Sequence, residues 1–241
     1  MTDKNIDISS LDFLKGEALL FDKPLTWSSF HVVNNIRYAL KHHLGIKKIK
    51  VGHAGTLDPL ATGLLIICTG KFTKRIEEFQ AQEKEYTGTF TLGATTPSFD
   101  LETEVDAEFP TDHINDELLQ NKAQSFVGTI EQIPPIFSAI KIDGKRAYEY
   151  ARKNEEVIIK PKTITITEFE ITKIEMPEIS FRIVCSKGTY IRSLARDFGI
   201  ALKSGAYLSS LKRTRIGEFK LEDAFNIEEF KLLLKKSDFV K

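Results

Sequence analysis

The segment Gly52-His53-Ala54-Gly55-Thr56-Leu57-Asp58-Pro59-Leu60-Ala61-Thr62-Gly63 sets three glycines, one histidine and one aspartate between two apolar stretches. Glycine lets a backbone approach a ligand closely or take positive φ. Pro59 restricts Asp58 to extended geometry and so gives its side chain a defined direction. A lone carboxylate held in this way could serve as nucleophile or proton acceptor, and it could equally cap a tight loop. A second segment, Cys185-Ser186-Lys187-Gly188-Thr189-Tyr190-Ile191-Arg192, carries a strand pattern through Gly188 into a helix pattern. Such a junction can present a tyrosine hydroxyl and a guanidinium to a cleft. An arginine beside Asp58 would keep the carboxylate ionised at neutral pH, as a nucleophile requires. A structural ion pair is the ordinary alternative for any one arginine.

Several other chemistries fail on spacing. Six residues separate Gly63 from Gly70-Lys71, and Phe72 follows where a phosphate loop needs Ser or Thr. There is no G-x-G-x-x-G dinucleotide fingerprint and no G-x-S-x-G nucleophile elbow. The five histidines and two cysteines show no metal-ligand spacing, and the adjacent His42 and His43 point apart on a helix. A paired-carboxylate glycosidase would want a second acid in a comparable glycine-rich setting, and none is present.

The elements that must hold these segments read as follows. Gly16 to Phe21 is a short apolar strand closed by Asp22-Lys23-Pro24. Ser28 and Ser29 are candidate N-caps for a helix in which Val32, Val33, Ile36, Ala39 and Leu40 recur at helical spacing and which stops at Gly45. Gly52 to Gly63 is read as a loop feeding the strand Leu64 to Cys68. Residues 84–93 alternate as a strand. Thr95 to Pro110 is acidic and is expected to be an exposed irregular loop, and Asp116 to Val127 is helical. Pro134-Pro135 precedes a strand over Ile136 to Ile142, which turns at Asp143-Gly144 into a helix holding Tyr148 and Ala151. Strands cover Lys162 to Ile174 and Ile179 to Ser186, helices follow through Leu194 to Leu202 and at Ile227 to Lys236, and no internal repeat is visible. The pattern is α+β, read as one compact domain over residues 1–241.

Charge is balanced, with 34 Lys plus Arg against 34 Asp plus Glu, yet it is unevenly spread. Arg37, Lys41, Lys47, Lys48 and Lys50, with His42 and His43, contain no acid among them. Further clusters are Lys141, Lys145, Arg146, Arg152, Lys153 and Lys203, Lys212, Arg213, Arg215. Segregated charge can make a basic face on a neutral protein, and solvated helix surfaces are the plain alternative. With Cys68 and Cys185 alone, a disulfide framework is not expected. No apolar run approaches the roughly 20 residues that span a bilayer, and no leader pattern opens the chain. A cytoplasmic protein without membrane association is expected.

Taken together and in order, these segments resemble the bacterial tRNA pseudouridine-55 synthase family of the TruB type. Asp22-Lys23-Pro24 with Ser28-Ser29 resembles its first motif, Gly52 to Gly63 its catalytic loop, and Lys84-Glu85-Tyr86 the position of its active-site tyrosine. Ile133-Pro134-Pro135, Ser138-Ala139-Ile140-Lys141, Tyr148 and Ala151-Arg152 resemble its next block, and Ser186 to Arg192 and Leu211-Lys212-Arg213 complete the set. The resemblance runs over about residues 16–217. It implies a mixed, mostly antiparallel central sheet flanked by helices and loops, with a catalytic cleft across it. It implies isomerisation of a uridine in the tRNA T-loop, with the base first extruded into a pocket.

By the same resemblance Asp58 would act on the sugar or base, Arg192 would pair with Asp58, Tyr86 would stack on the uracil, and Tyr190 would carry the closing proton transfer. His53 would enter the loop and displace the base, and Leu211 would line the uracil pocket. Lys23 and Lys141 would support the pocket or the RNA backbone, with Gly52 and Thr56 also at the substrate. No cofactor and no metal is implied, the partner is the T-arm of tRNA, and a monomer without an obligate protein partner is expected. Two departures stand out. Thr26 lies two residues after Pro24, where the family commonly has glycine, so a backbone of positive φ there would be strained. A small C-terminal RNA-binding domain found in many members is expected to be absent, which would leave binding to the basic clusters and make it steeply salt-dependent. A non-catalytic RNA chaperone and a uridine glycosidase are the competing readings.

Overall fold

The structure, a computed structural model, describes residues 6–138, 140–142, 144–151, 155 and 157–238. In chain order the elements are β1 (Ala18–Lys23), α1 (Ser29–His43), β2 (Val51–Ala54), β3 (Ala61–Thr69), α2 (Ile76–Ala81), β4 (Lys84–Leu92), β5 (Ala94–Thr95), β6 (Ala107–Glu108) and α3 (Asp116–Ser125). There follow β7 (Gly128–Gln132), β8 (Lys141–Ile142), β9 (Lys145–Arg146), α4 (Ala147–Ala151), β10 (Lys162–Glu175), β11 (Glu178–Cys185), α5 (Ile191–Ala201), β12 (Ala206–Ile216), β13 (Phe219–Lys220) and α6 (Ile227–Asp238). The chain forms two compact units, one from Met1–Tyr86 with Lys212–Lys241, the other Thr87–Leu211. Strands β4 and β12 each carry residues of both.

In the first unit β3 pairs antiparallel with β1, from Ala18 opposite Cys68 to Lys23 opposite Gly63, and with β2 along Ile66 to Thr69. Strand alternation sorts the side chains. Leu19, Phe21, Leu65 and Ile67 join Val32, Val33, Ile36 and Leu40 of α1 and Phe230 and Leu234 of α6, whereas Leu20, Leu64, Ile66 and Cys68 join Phe79 and Phe219. Lys23 continues the Leu19–Phe21 parity, which explains why it is fully buried at the end of β1. Helix α1 begins where the Ser28 hydroxyl accepts the His31 N–H at 3.1 Å. It is closed beyond its last turn by Gly45 at φ 63°. Phe21 meets Phe230 edge to face at 5.0 Å and Phe225 at 6.0 Å, a core in which each buried ring contributes roughly 1.5–3 kcal/mol.

In the second unit β10 and β11 form a long antiparallel hairpin, and β7 pairs antiparallel with the first half of β10. Phe90, Phe169, Phe181 and Phe198 pack together, Phe90 and Phe181 at 4.3 Å and Phe169 and Phe198 at 5.3 Å. The class is thus α+β with a mixed, mostly antiparallel sheet and flanking helices, as expected.

Three local expectations change. Gly52, His53 and Ala54 belong to β2, because their backbone groups pair with β3, so the loop proper is Gly55–Leu60. Thr95 to Pro110 is not wholly exposed: β5 pairs with β6, and Thr96, Ser98 and Asp100 are buried in a hydrogen-bonded turn. Among the described residues of 136–142, only Lys141–Ile142 form a strand, which pairs with β9. Arg152 and Lys153 of the second basic cluster lie outside the described residues, and so do the side chains of Lys141 and Tyr148.

Candidate active site

Asp58 lies in the Gly55–Leu60 loop, and both of its neighbours are tied down by the backbone and side chains of the first unit. The buried Ser29 hydroxyl accepts the Leu57 N–H at 2.8 Å and donates to the Leu57 carbonyl at 3.0 Å. On the other side, the Thr26 N–H donates to the Pro59 carbonyl at 2.8 Å. The Lys23 ammonium donates to the carbonyls of Trp27 at 2.6 Å, Pro24 at 2.9 Å and Pro59 at 3.4 Å. Asp58 itself accepts the Ala61 N–H on its own carbonyl at 3.1 Å and is half-exposed. A carboxylate is thereby presented on a backbone pinned on both sides, the preorganisation that nucleophilic or base chemistry needs.

Beneath this loop sits Arg213, only 1% exposed. Its Nε donates to the Leu64 carbonyl at 2.8 Å and its Nη2 to the Gly55 carbonyl at 3.1 Å. No carboxylate among the described residues pairs with it. The close approach needs glycine: Gly63 is at φ 100°, and a Cβ there would come within 2.3 Å of the Arg213 carbonyl oxygen. The buried cation shapes its surroundings. Burial, and then Arg213, hold the His53 imidazole below its ordinary pKa against the opposing Gly55 backbone, so His53 is neutral at neutral pH. Burial pulls the Lys23 ammonium down to about 8, with Asp58 and Asp22 opposing and Arg213 assisting. His53 is half-buried on β2, and its buried Nδ1 has no hydrogen-bond partner among the described residues.

The other expected residues are distributed as follows. Tyr86 is buried on β4, two residues beyond Lys84, whose ammonium donates to the carbonyls of Gln80 and Gln82. Leu211 is half-buried on β12, Gly52 is half-buried on β2, and Thr56 is exposed in the loop. In the second unit, Tyr190 and Arg192 stand at the start of α5. Tyr190 takes extended geometry, φ −104° and ψ 108°, as the residue before the first turn. Arg192 is 4% exposed, donates to the Phe137 carbonyl at 2.9 Å and the Ser98 carbonyl at 3.4 Å, and lies 3.6 Å from the Asp100 carboxylate. Gln132 reaches both backbone groups of Tyr190.

The sequence offers Ser29 as a possible cap and as part of the first motif, and Arg213 and Arg215 as members of a basic cluster, with Arg213 also in the last motif. In the structure Ser28 is the cap, Arg213 is a buried strut, and Arg215 is ion-paired with Glu83 at 2.9 Å. Asp100 and Gln132 were missed altogether. The parity of Arg213 with the buried Ile216 gave no warning, because an odd spacing puts the two on opposite faces of a strand. Among the described residues no group of three or more His, Cys, Asp or Glu is placed to hold a metal ion.

Against known proteins, residues 41–191 match the TruB family pseudouridylate synthase (N terminal domain). The chain is 63% identical over 220 residues to the tRNA pseudouridine synthase B of Phocaeicola vulgatus, covering 91% of this chain and 94% of that protein. It is 60% identical over 220 residues to the protein of the same name from Flavobacterium johnsoniae, covering 91% and 96%. Among solved structures, a chain of a Cbf5-Nop10-Gar1 complex is 27% identical and superposes with a TM-score of 0.71, covering all of this chain and 61% of that one. With a pinned aspartate loop of this motif, a family match over residues 41–191 and relatives 60–63% identical across more than nine-tenths of their length, the chain belongs to the TruB family of pseudouridylate synthases.

Proposed function

We propose that this protein is a tRNA pseudouridine synthase that isomerises uridine 55 in the T-loop of tRNA. The observation that carries the reading is the Asp58 loop: one carboxylate, on a backbone clamped at Leu57 by Ser29 and at Pro59 by Thr26 and Lys23. The reaction breaks the C1′–N1 bond, turns the uracil, joins C1′ to C5 and expels the C5 hydrogen as a proton while N1 gains one. Nothing is oxidised and no water is consumed, so side chains suffice for it.

In this reading the target base leaves the loop stack before chemistry. Neutral His53 fills the space it vacates, and Tyr86 stacks on the uracil, a contact worth about 1–3 kcal/mol. Asp58 acts at the sugar or base and Arg192 supports its ionised form. Tyr190 takes the C5 proton. Leu211 lines the pocket, and Lys141, Gly52 and Thr56 belong to the RNA-contacting surface, while Lys23 supports the loop from within. The chain is read as a single catalytic domain, a reading supported by a family match at residues 41–191 that includes residues of both compact units. The T-arm is the recognised part of tRNA, a single cytoplasmic copy without an obligate protein partner is sufficient, and no cofactor takes part.

The test is direct. An unmodified tRNA transcript incubated with the protein should gain one pseudouridine, at position 55 by sequencing chemistry or nucleoside mass spectrometry. A transcript with cytidine at that position should gain none. Modification at another position, or free uracil as product, contradicts the reading.

A further inference from the structure

We propose that Gln132 is a positioning residue for Tyr190, an inference that rests on the reading of Tyr190 as the group that takes the C5 proton. Gln132 is the last residue of β7, opposite Lys162 of β10, and is 1% exposed. Its carboxamide is spent on one residue. The Oε1 accepts the Tyr190 N–H at 2.8 Å, and the Nε2 donates to the Tyr190 carbonyl at 3.1 Å. That carbonyl also accepts the Leu194 N–H at 3.1 Å and so begins α5. Two bonds to both backbone groups hold Tyr190 extended at the point where the next residue turns helical, and this sets the direction of its Cα–Cβ bond. The segment after Gln132 repeats the attachment. The Ile133 carbonyl accepts from the Ser193 hydroxyl at 2.8 Å and from Arg196 at 3.3 Å, and the Phe137 carbonyl accepts from Arg192. The end of β7 thus aligns the start of α5, and within that attachment Gln132 is the side chain that holds the tyrosine backbone. Proton transfer from carbon demands a close, aligned acceptor, and a displacement of about 1 Å can cost on the order of 10²-fold in rate.

The experiment is single-turnover pseudouridine formation on tRNA carrying either protium or deuterium at C5 of the target uridine, with tRNA affinity measured alongside. Gln132→Glu keeps shape and one acceptor but sets a carboxylate against the Tyr190 carbonyl. Gln132→Met keeps volume and removes both bonds, so a folding failure in one variant leaves the other. Tyr190→Phe is the reference. The expected result is a loss on the order of 10²-fold for Tyr190→Phe. For both Gln132 variants we expect a loss on the order of 10- to 10²-fold with unchanged tRNA affinity and a C5 isotope effect larger than in wild type. If Tyr190→Phe reacts like wild type, the role of Tyr190 fails and the inference with it. If Tyr190→Phe is impaired while the Gln132 variants keep the wild-type rate, or slow with no change in isotope effect, or lose affinity instead, positioning by Gln132 is overturned and the role of Tyr190 stands.

Discussion

Thr26 has φ 69°, a left-handed conformation that a β-branched residue adopts at a cost of about 1–2 kcal/mol. Its contribution to the Asp58 loop is the backbone N–H given to Pro59, which any residue but proline could supply. Thr26→Gly should therefore raise stability by roughly 0.5–1 kcal/mol after the extra chain entropy of glycine, a gain of about 1–4 °C in Tm, with activity retained. A calorimetric scan that finds the variant less stable would show that the Thr side chain does more than the structure assigns to it. Lys23 offers a second test with a definite sign. Its folded pKa of about 8 lies below the ordinary 10.5, so between those values the unfolded chain holds the extra proton. The Lys23 contribution to stability is then flat below pH 8 and rises with pH above it. The Tm of wild type relative to Lys23→Met should climb from pH 8 to pH 10, and a fall over that range would contradict the assignment.

At the scale of elements, the hairpin of β2 and β3 carries the loop, and its tolerance is set by how closely the backbones approach. Gly63→Ala would put a Cβ against the Arg213 backbone at a positive φ, so a destabilisation of about 2–3 kcal/mol and a disturbed Asp58 loop are expected, read by denaturant unfolding and by rate. Much of this scale was legible in the sequence. Apolar spacing found α1, where Val32, Val33, Ile36 and Leu40 are all buried, and alternation found β4. What stayed illegible depends on partners distant in the chain. Nothing local distinguishes Ser29, bonded to Leu57, from Ser28, which caps α1. Nothing local says that Arg213 is buried while Lys212 beside it is exposed. Lys47, Lys48 and Lys50 beyond α1 are exposed, and so is Tyr38 on its outer face, tilted against His42 at 4.0 Å. Replacing these three lysines with glutamine should weaken tRNA binding and flatten its salt dependence. The log–log slope should fall by about 0.9 for each phosphate no longer neutralised, measured by titration at several ionic strengths.

For the molecule as a whole, a formal net charge of zero gives little general attraction to RNA, so recognition falls to local basic surface and to the loop that receives the base. An isolated T-arm stem-loop should accordingly be modified by this protein, and a requirement for full-length tRNA would contradict that expectation. The α+β class and the order of the motifs were readable because the functional residues lie in long local segments. The Asp100 and Gln132 attachments were not, because each joins residues far apart in the chain, Gln132 being 58 positions from Tyr190. The claim on which everything else depends is that Asp58 drives an isomerisation. It is tested by tritium release from tRNA labelled at C5 of uridine, since forming the C1′–C5 bond must expel that hydrogen. Wild type should release close to one equivalent per tRNA and Asp58→Ala none, with tRNA binding retained in both. Release by Asp58→Ala at the wild-type rate, or no release by a wild-type protein that binds tRNA, would contradict the account.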